Sequence, residues 1–271
     1  MRPYYNYDNG RSGFGGMNIR FHFGWTTTIK ALIISNALIF LATLVVARRE
    51  PRIILWLGFN RDLFLSGFIW QPITYMFIHG GLWHLLGNML GLFFFGGDVE
   101  RHLGRRNFLI MYFLCGVVGA MLSMIDPPPG AVIGASGGVF GVLIAFAVLF
   151  PDARLILFPI PIPIKARYLA VFYCFITVAS LLGTGNDGIA HWAHLGGIAV
   201  GYLFIKGRPL GGRLKLLWRA RRALTHERRS AAEQAELDRI LEKVHREGII
   251  GLSNRERDFL NAMSRKYKGR D

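Results

Sequence analysis

Residues 131–150 read AVIGASGGVFGVLIAFAVLF, twenty residues without Asp, Glu, Lys or Arg. A run of that length matches the roughly 20 apolar residues needed to cross a bilayer core of about 30 Å, with about 17 as the lower limit. Near its head, in Gly134, Ala135, Ser136, Gly137, stands a hydroxyl. A nucleophile at Ser136 would work inside a membrane.

Outward from this run, the windows 31–47, 108–125 and 189–205 also lack charged residues, and 82–95 and 168–182 are shorter apolar runs that lengthen with their flanks. Together they predict six spans. Composition agrees: 52% of residues are hydrophobic, 21 are Phe, and the mean hydropathy is +0.34, more than the core of a soluble domain needs. The expected fold is all-α, a polytopic membrane protein. Its organisation reads as a flexible N-terminus over 1–24, a six-helix membrane domain over 25–205, and a basic tail over 206–271.

Basic residues orient the spans, because cytoplasmic loops collect Lys and Arg. Arg2, Arg11 and Arg20 precede the first span; Arg101, Arg105 and Arg106 separate the second from the third; Arg154, Lys165 and Arg167 separate the fourth from the fifth. The loops 126–130 and 183–188 contain neither Lys nor Arg. Both termini are therefore expected in the cytoplasm, in a bacterial-type inner membrane. The first outer loop departs from the pattern with Arg48, Arg49, Arg52 and Arg61, of which Arg48 and Arg49 read as snorkelling from the first span. The amino terminus lacks a secretory signal's apolar core and cleavage site, so the first span is expected to be retained. In the tail, 18 Lys or Arg stand against 9 Asp or Glu, which places +9 of the chain's +15 there. Leu237, Ile240, Leu241 and Val244 recur at helical spacing, and Ser253 with Glu256 forms a capping box before Phe259, Leu260 and Met263. This predicts two short amphipathic helices near anionic headgroups rather than a nucleic-acid module.

Cys115 and Cys174 lie in apolar windows and read as buried thiols. No metal-ligand spacing occurs, and no cofactor is implied; the absence of His-Glu-x-x-His argues against a zinc protease. Gly134, Ser136 and Gly138 also satisfy the Gly-x-Ser-x-Gly elbow of soluble hydrolases, with Asp152 or Asp187 and His194 in matching chain order. That elbow needs a buried strand before the serine, whereas a Pro-rich loop precedes it here, and the two aspartates fall on opposite sides of the expected membrane.

His194, in Ala193, His194, Leu195, Gly196, Gly197, heads another apolar window and supplies a candidate base. Gly137 with Gly141, and Gly197 with Gly201, put small residues one helical turn apart on spans four and six, where backbones can approach closely. His84 and Asn88, four residues apart, share a helical face and can aim two donors at one point, the geometry of an oxyanion hole. His79 reads as a loop anchor, and His191 as an interfacial side chain.

These residues resemble the rhomboid intramembrane serine proteases. The family's Gly-x-Ser-Gly appears as Gly134 to Gly137, its Ala-His-x-x-Gly-x-x-x-Gly as Ala193 to Gly201, and its His-x-x-x-x-His-x-x-x-Asn as His79, His84 and Asn88. The resemblance implies Ser136 as nucleophile, His194 as general base and acid, His84 and Asn88 as oxyanion donors, and Phe140 as an aromatic ring against the histidine. It further implies membrane-protein substrates, cut in or near their spanning segments within the lipid bilayer. The chain departs from the family in two places. Trp70 is followed by Gln71 where the family often has Trp-Arg, and Glu100 by Arg101 and His102 where it often has Glu-x-Arg, so that Glu100 is expected to organise its loop with Arg101 or Arg105. The competing classes are a catalytically silent rhomboid-like membrane chaperone, which loss of Ser or His would mark, and a transporter, which inverted repeats would mark.

Overall fold

The computed structural model describes residues 25–157, 160–182 and 189–268. The lead-in 1–24 and the loop 183–188, with Asp187, lie outside the described residues. The chain divides into two units, Met1–Gly207 and Arg208–Asp271.

In the first unit Thr26 caps helix α1 (Thr27–Val46) by accepting the Ile29 N–H at 3.2 Å. Two of its interior polar residues bond back onto their own helix, Asn36 to Leu32 O at 2.8 Å and Thr43 to Ile39 O at 2.7 Å. Three short helices then fold the loop after α1: α2 (Ile53–Leu57), α3 (Arg61–Leu65) and α4 (Gln71–Thr74). Helix α5 (Leu82–Gly91) runs through a π turn (Leu92–Gly96) into α6 (Gly97–Leu103), and α7 (Arg105–Leu122) follows. After the irregular stretch 130–135 come α8 (Ser136–Leu149), a hairpin of β1 (Arg154–Leu157) and β2 (Ile160–Lys165), α9 (Ala166–Leu182) and α10 (His191–Glu247).

Helix α7 packs against α8 at the centre, and Phe108, Met111, Tyr112 and Cys115 of α7 are wholly buried with Val142 and Ala145 of α8. The outer faces are the reverse of a water-soluble surface. Leu38, Leu41 and Val45 on α1, and Val171, Phe175 and Leu182 on α9, are each more than half exposed. A contiguous exposed apolar face of that kind needs a non-aqueous surrounding. Helices α1 and α7 are long and apolar enough to cross a membrane, and α8 and α9 are shorter apolar helices.

The structure adds to or departs from these expectations in four places. The window 131–150 is not helical throughout, because α8 begins only at Ser136 and the chain before it is tied elsewhere: Val132 exchanges two hydrogen bonds of 2.8 Å with Phe59. The β1–β2 hairpin is an addition to an all-α reading; it pairs Arg154 with Lys165 and Leu155 with Ile164. The tail's first helix is not short, since it is the end of α10, which runs unbroken from His191 to Glu247. Glu100, buried, does not bond Arg101 or Arg105. It accepts from the Thr26 hydroxyl and, at 2.6 Å, from that of Thr28, pinning the start of α1 to α6, while Arg101 pairs with Asp98 at 2.7 Å.

In the second unit the end of α10 pairs with α11 (Asn254–Lys268) around the buried Ile240, Leu252 and Met263. The capping box forms: Glu256 accepts from the Ser253 N–H at 2.8 Å and hydroxyl at 3.0 Å, and its own N–H donates to Ser253 Oγ at 3.3 Å. Lys243 and Arg239 reach the same carboxylate from α10, at 3.0 and 3.2 Å. The Ser253 N–H, then the Lys243 ammonium and the Ser253 hydroxyl, hold the Glu256 carboxyl down to about 2. A depressed carboxylate contributes stability above its unfolded value of about 4.3, and that contribution disappears as pH falls through the folded value. Hydrogen exchange over residues 239–264 is therefore expected to be faster in Glu256→Gln than in wild type at pH 7, with the gap closing between about pH 4.3 and about 2. Equal rates at pH 7 would contradict this role.

Candidate active site

Ser136 is the first residue of α8, and the chain reaches it through a narrow passage. The Gly134 N–H donates to Tyr75 O at 2.9 Å, and Gly134 has φ +118°, a conformation that favours glycine. A Cβ at Gly134 would stand 2.5 Å from His84 Nε2, so the loop lies directly against that ring. The Ala135 N–H points at His79 Nε2, at 3.5 Å, which puts His79 in the anchoring position expected of it. The first helical bond of α8 runs from Val139 N–H to Ala135 O, so the amides of Ser136, Gly137 and Gly138 belong to the opening turn, whose N–H groups have no intrahelical partner.

His194 sits in the first turn of α10, its N–H bonded to Ala190 O at 3.2 Å. The two helix starts meet along a glycine seam. A Cβ on Gly197 would lie 2.8 Å from the Gly137 carbonyl carbon, and one on Gly201 would lie 2.8 Å from Gly141 Cα. Only hydrogens fit between these backbones. At the end of the seam His194 Nε2 and Ser136 Oγ are 2.8 Å apart, within hydrogen-bond range. Both residues are half-buried, so the pair is open on one side. Phe140, one turn beyond Ser136 on the same face, lays its ring against the imidazole with centroids 4.4 Å apart at 35°, and Tyr173 of α9 meets Phe140 edge-on at 5.6 Å. The imidazole is thus braced on one face and directed at the hydroxyl on its edge. With Nε2 unprotonated it can draw the proton from Ser136 as the oxygen attacks an electrophile.

His84 and Asn88 share a face of α5, as their spacing requires. His84 is exposed, edge-on to His79 at 5.1 Å, and touches the serine-bearing loop at Gly134. Asn88 is buried, and its Nδ2 donates to His84 O at 2.9 Å, using one of two amide hydrogens. Asp152 is engaged elsewhere, by Lys165 at 3.2 Å and Arg167 at 3.4 Å. Among the described residues no three His, Cys, Asp or Glu side chains gather as a metal site would. Cys115 and Cys174 are free thiols.

Two features went unread in the sequence. Gly119 of α7 brings a third backbone to the seam, where its Cβ would lie 2.6 Å from Ala193 O; its spacing from Gly116 was a usable signal. Gln71, noted only as a departure from Trp-Arg, is fully buried, with its carboxamide bonded to Asn60 N–H at 3.1 Å and Leu55 O at 2.8 Å.

A family model described as Rhomboid domain matches residues 66–207, and one described as a family of unknown function, DUF6576, matches residues 226–266. The chain is 35% identical over 134 residues to Rhomboid protein 1, mitochondrial, of Saccharomyces cerevisiae, covering 47% of this chain and 38% of the yeast protein. It is 30% identical over 158 residues to YdcA of Bacillus subtilis, covering 56% of this chain and 74% of that protein. To Rhomboid protease GluP of Bacillus subtilis it is 30% identical over 146 residues, 53% of this chain and 27% of GluP. The chain thus spans well under two thirds of the yeast protein and of GluP.

The seam carries a direct expectation. Gly197→Ala and Gly201→Ala must push α8 and α10 apart, at a cost of about 1 to 3 kcal/mol for overpacking. Gly207→Ala, in the same helix with open space around it, should be neutral. Thermal melting in detergent checks this: a lowered midpoint for the first two and an unchanged one for the third is expected. Three equal midpoints would remove the seam.

Proposed function

This chain belongs to the rhomboid family, and on that premise we propose that it is an intramembrane serine endopeptidase that uses Ser136 and His194 as a dyad. The observation that carries the reading is the 2.8 Å contact between His194 Nε2 and Ser136 Oγ. A silent membrane chaperone would not require that contact.

In the proposed reaction Ser136 Oγ adds to the scissile carbonyl carbon while its proton passes to His194 Nε2. Negative charge then develops on the carbonyl oxygen, toward which His84, the second amide hydrogen of Asn88 and the Ser136 N–H are the available donors. Collapse breaks the C–N bond, His194 returns its proton to the leaving amine, and the acyl group stays on Ser136. Water, deprotonated by His194, then releases it and restores the serine hydroxyl.

Six spans are proposed: α1, α5 with α6, α7, α8, α9 and the opening of α10, with both termini on the cytoplasmic, Lys- and Arg-rich side of a bacterial-type inner membrane. The short length of α8 supports a site below the membrane surface. Its 14 residues rise about 21 Å at 1.5 Å each, less than a hydrocarbon core of about 30 Å. A substrate helix shields its peptide bonds with its own hydrogen bonds, so segments carrying Gly, Pro or polar residues, which unwind readily, are the proposed substrates. The lipid bilayer is the other proposed partner, with the basic tail held near anionic headgroups.

The test is cleavage of a single-span model substrate by purified protein. Ser136→Ala and His194→Ala are each expected to lower turnover by about 10⁴-fold or more with melting unchanged, because members of a catalytic unit fail together. Retained cleavage in either variant would overturn the dyad, and an inactive wild type would favour the chaperone.

A further inference from the structure

The loop after α1 and the serine-bearing stretch are joined by a ladder of hydrogen bonds that the proposed reaction does not itself use. Gln71 stands at its root, fully buried, with both ends of its carboxamide engaged. Oε1 accepts the Asn60 N–H at 3.1 Å, and Nε2 donates to Leu55 O at 2.8 Å and more distantly to Trp56 O at 3.4 Å. The group must be an acceptor on one side and a donor on the other, which a carboxamide is and a carboxylate or guanidinium is not. Gln71 thereby sets Phe59 and Asn60, which hold the stretch ahead of Ser136 at Gly130 and Val132, beside the separate tie from Tyr75 to Gly134.

From there the bonds fall on Gly130, Val132 and Gly134. Asn60 Nδ2 donates to Gly130 O at 2.6 Å, Phe59 and Val132 exchange two bonds of 2.8 Å, and the Gly134 N–H donates to Tyr75 O at 2.9 Å. Phe59 is itself fixed, 2% exposed, with its ring against Phe64 and Tyr75. Gly130, Val132 and Gly134 are thus each tied, and from Gly134 the chain turns at Ala135 (φ −75°, ψ −2°) directly into Ser136.

We infer that Gln71 is a positioning residue for the nucleophile: its neutral carboxamide fixes the loop after α1, and the loop fixes residues 130–135 and through them Ser136 Oγ. This rests on the protease reading. It also gives a physical reason for glutamine at this position, because the two partners of its carboxamide are a backbone donor and a backbone acceptor.

Two variants test it. Gln71→Leu keeps the bulk and removes every bond of the root. Asn60→Asp keeps the Oδ1 that accepts the Asp62 and Leu63 N–H groups at 3.1 Å, keeps its own N–H to Gln71, and replaces the donor to Gly130 by a carboxylate oxygen that repels the carbonyl. Three readouts are taken on full-length protein in detergent: the rate of Ser136 phosphonylation by a small fluorophosphonate, the kcat and KM for a model substrate, and hydrogen exchange at the Val132 and Gly134 amides. Small displacements of reacting groups are costly, up to about 10²-fold for 1 Å, so phosphonylation and kcat are expected to fall about tenfold or more in both variants with KM little changed. Exchange at Val132 and Gly134 should quicken. A merely structural glutamine would lower the melting midpoint while the folded protein took label at the wild-type rate, and that result in either variant overturns the inference. If Gln71→Leu does not fold, Asn60→Asp decides. Wild-type protein that takes no label would overturn the protease reading instead, and the exchange rates would then decide the tether by themselves.

Discussion

The approach of two backbones with only glycine hydrogens between them is the constraint on which the site depends. Within an apolar surrounding there is no hydrophobic force to press helices together, so contact rests on close packing, which side chains at the seam would prevent. Gly137 faces Gly197, Gly141 faces Gly201, and Gly119 adds the third helix at Ala193. Because Ser136 and His194 stand at the head of that seam, one packing decision sets both the stability of the bundle and the length of the serine-to-histidine contact.

A helix seam alone does not aim a hydroxyl. Ser136 begins its helix, and a helix end frays unless the preceding chain is held. Here the preceding chain is held on alternate residues by Asn60, Phe59 and Tyr75, and the ring of His84 closes against Gly134. The imidazole has the tilted ring of Phe140 against it, which is in turn met by Tyr173. The seam sets the distance between nucleophile and base, while the hydrogen bonds of the preceding chain orient the one and the Phe140 ring lies against the other.

Much of this was legible in the sequence, for physical reasons. Charge-free windows mark helices α1, α7, α8 and α9 because burial and lipid both exclude ions. Glycines one turn apart marked the seam, and His84 with Asn88 shared a face because 3.6 residues complete a turn. Other features were hidden. Ala131, Val132 and Ile133 are as apolar as the helix that follows, so hydrophobicity could not show that they stand outside it; only the distant Phe59 decides that. The β hairpin alternates Ile with Pro from Ile160 to Ile164, and the prolines read as loop although they suit an edge strand. Nearby arginines suggested themselves as partners for Glu100, yet its donors, Thr26 and Thr28, lie more than seventy residues earlier in the chain. Gln71 stood out only as an irregularity, because its role depends on backbone atoms that no side-chain pattern encodes.

The central claim is that the seam delivers Ser136 onto His194 as a working pair. Mass-spectrometric mapping of the residue modified by a fluorophosphonate, in wild type and in His194→Ala, tests it most directly. A single adduct on Ser136 in the wild type, absent from the folded His194 variant, is the expected result. An adduct on another serine, or equal modification of Ser136 without His194, would contradict it.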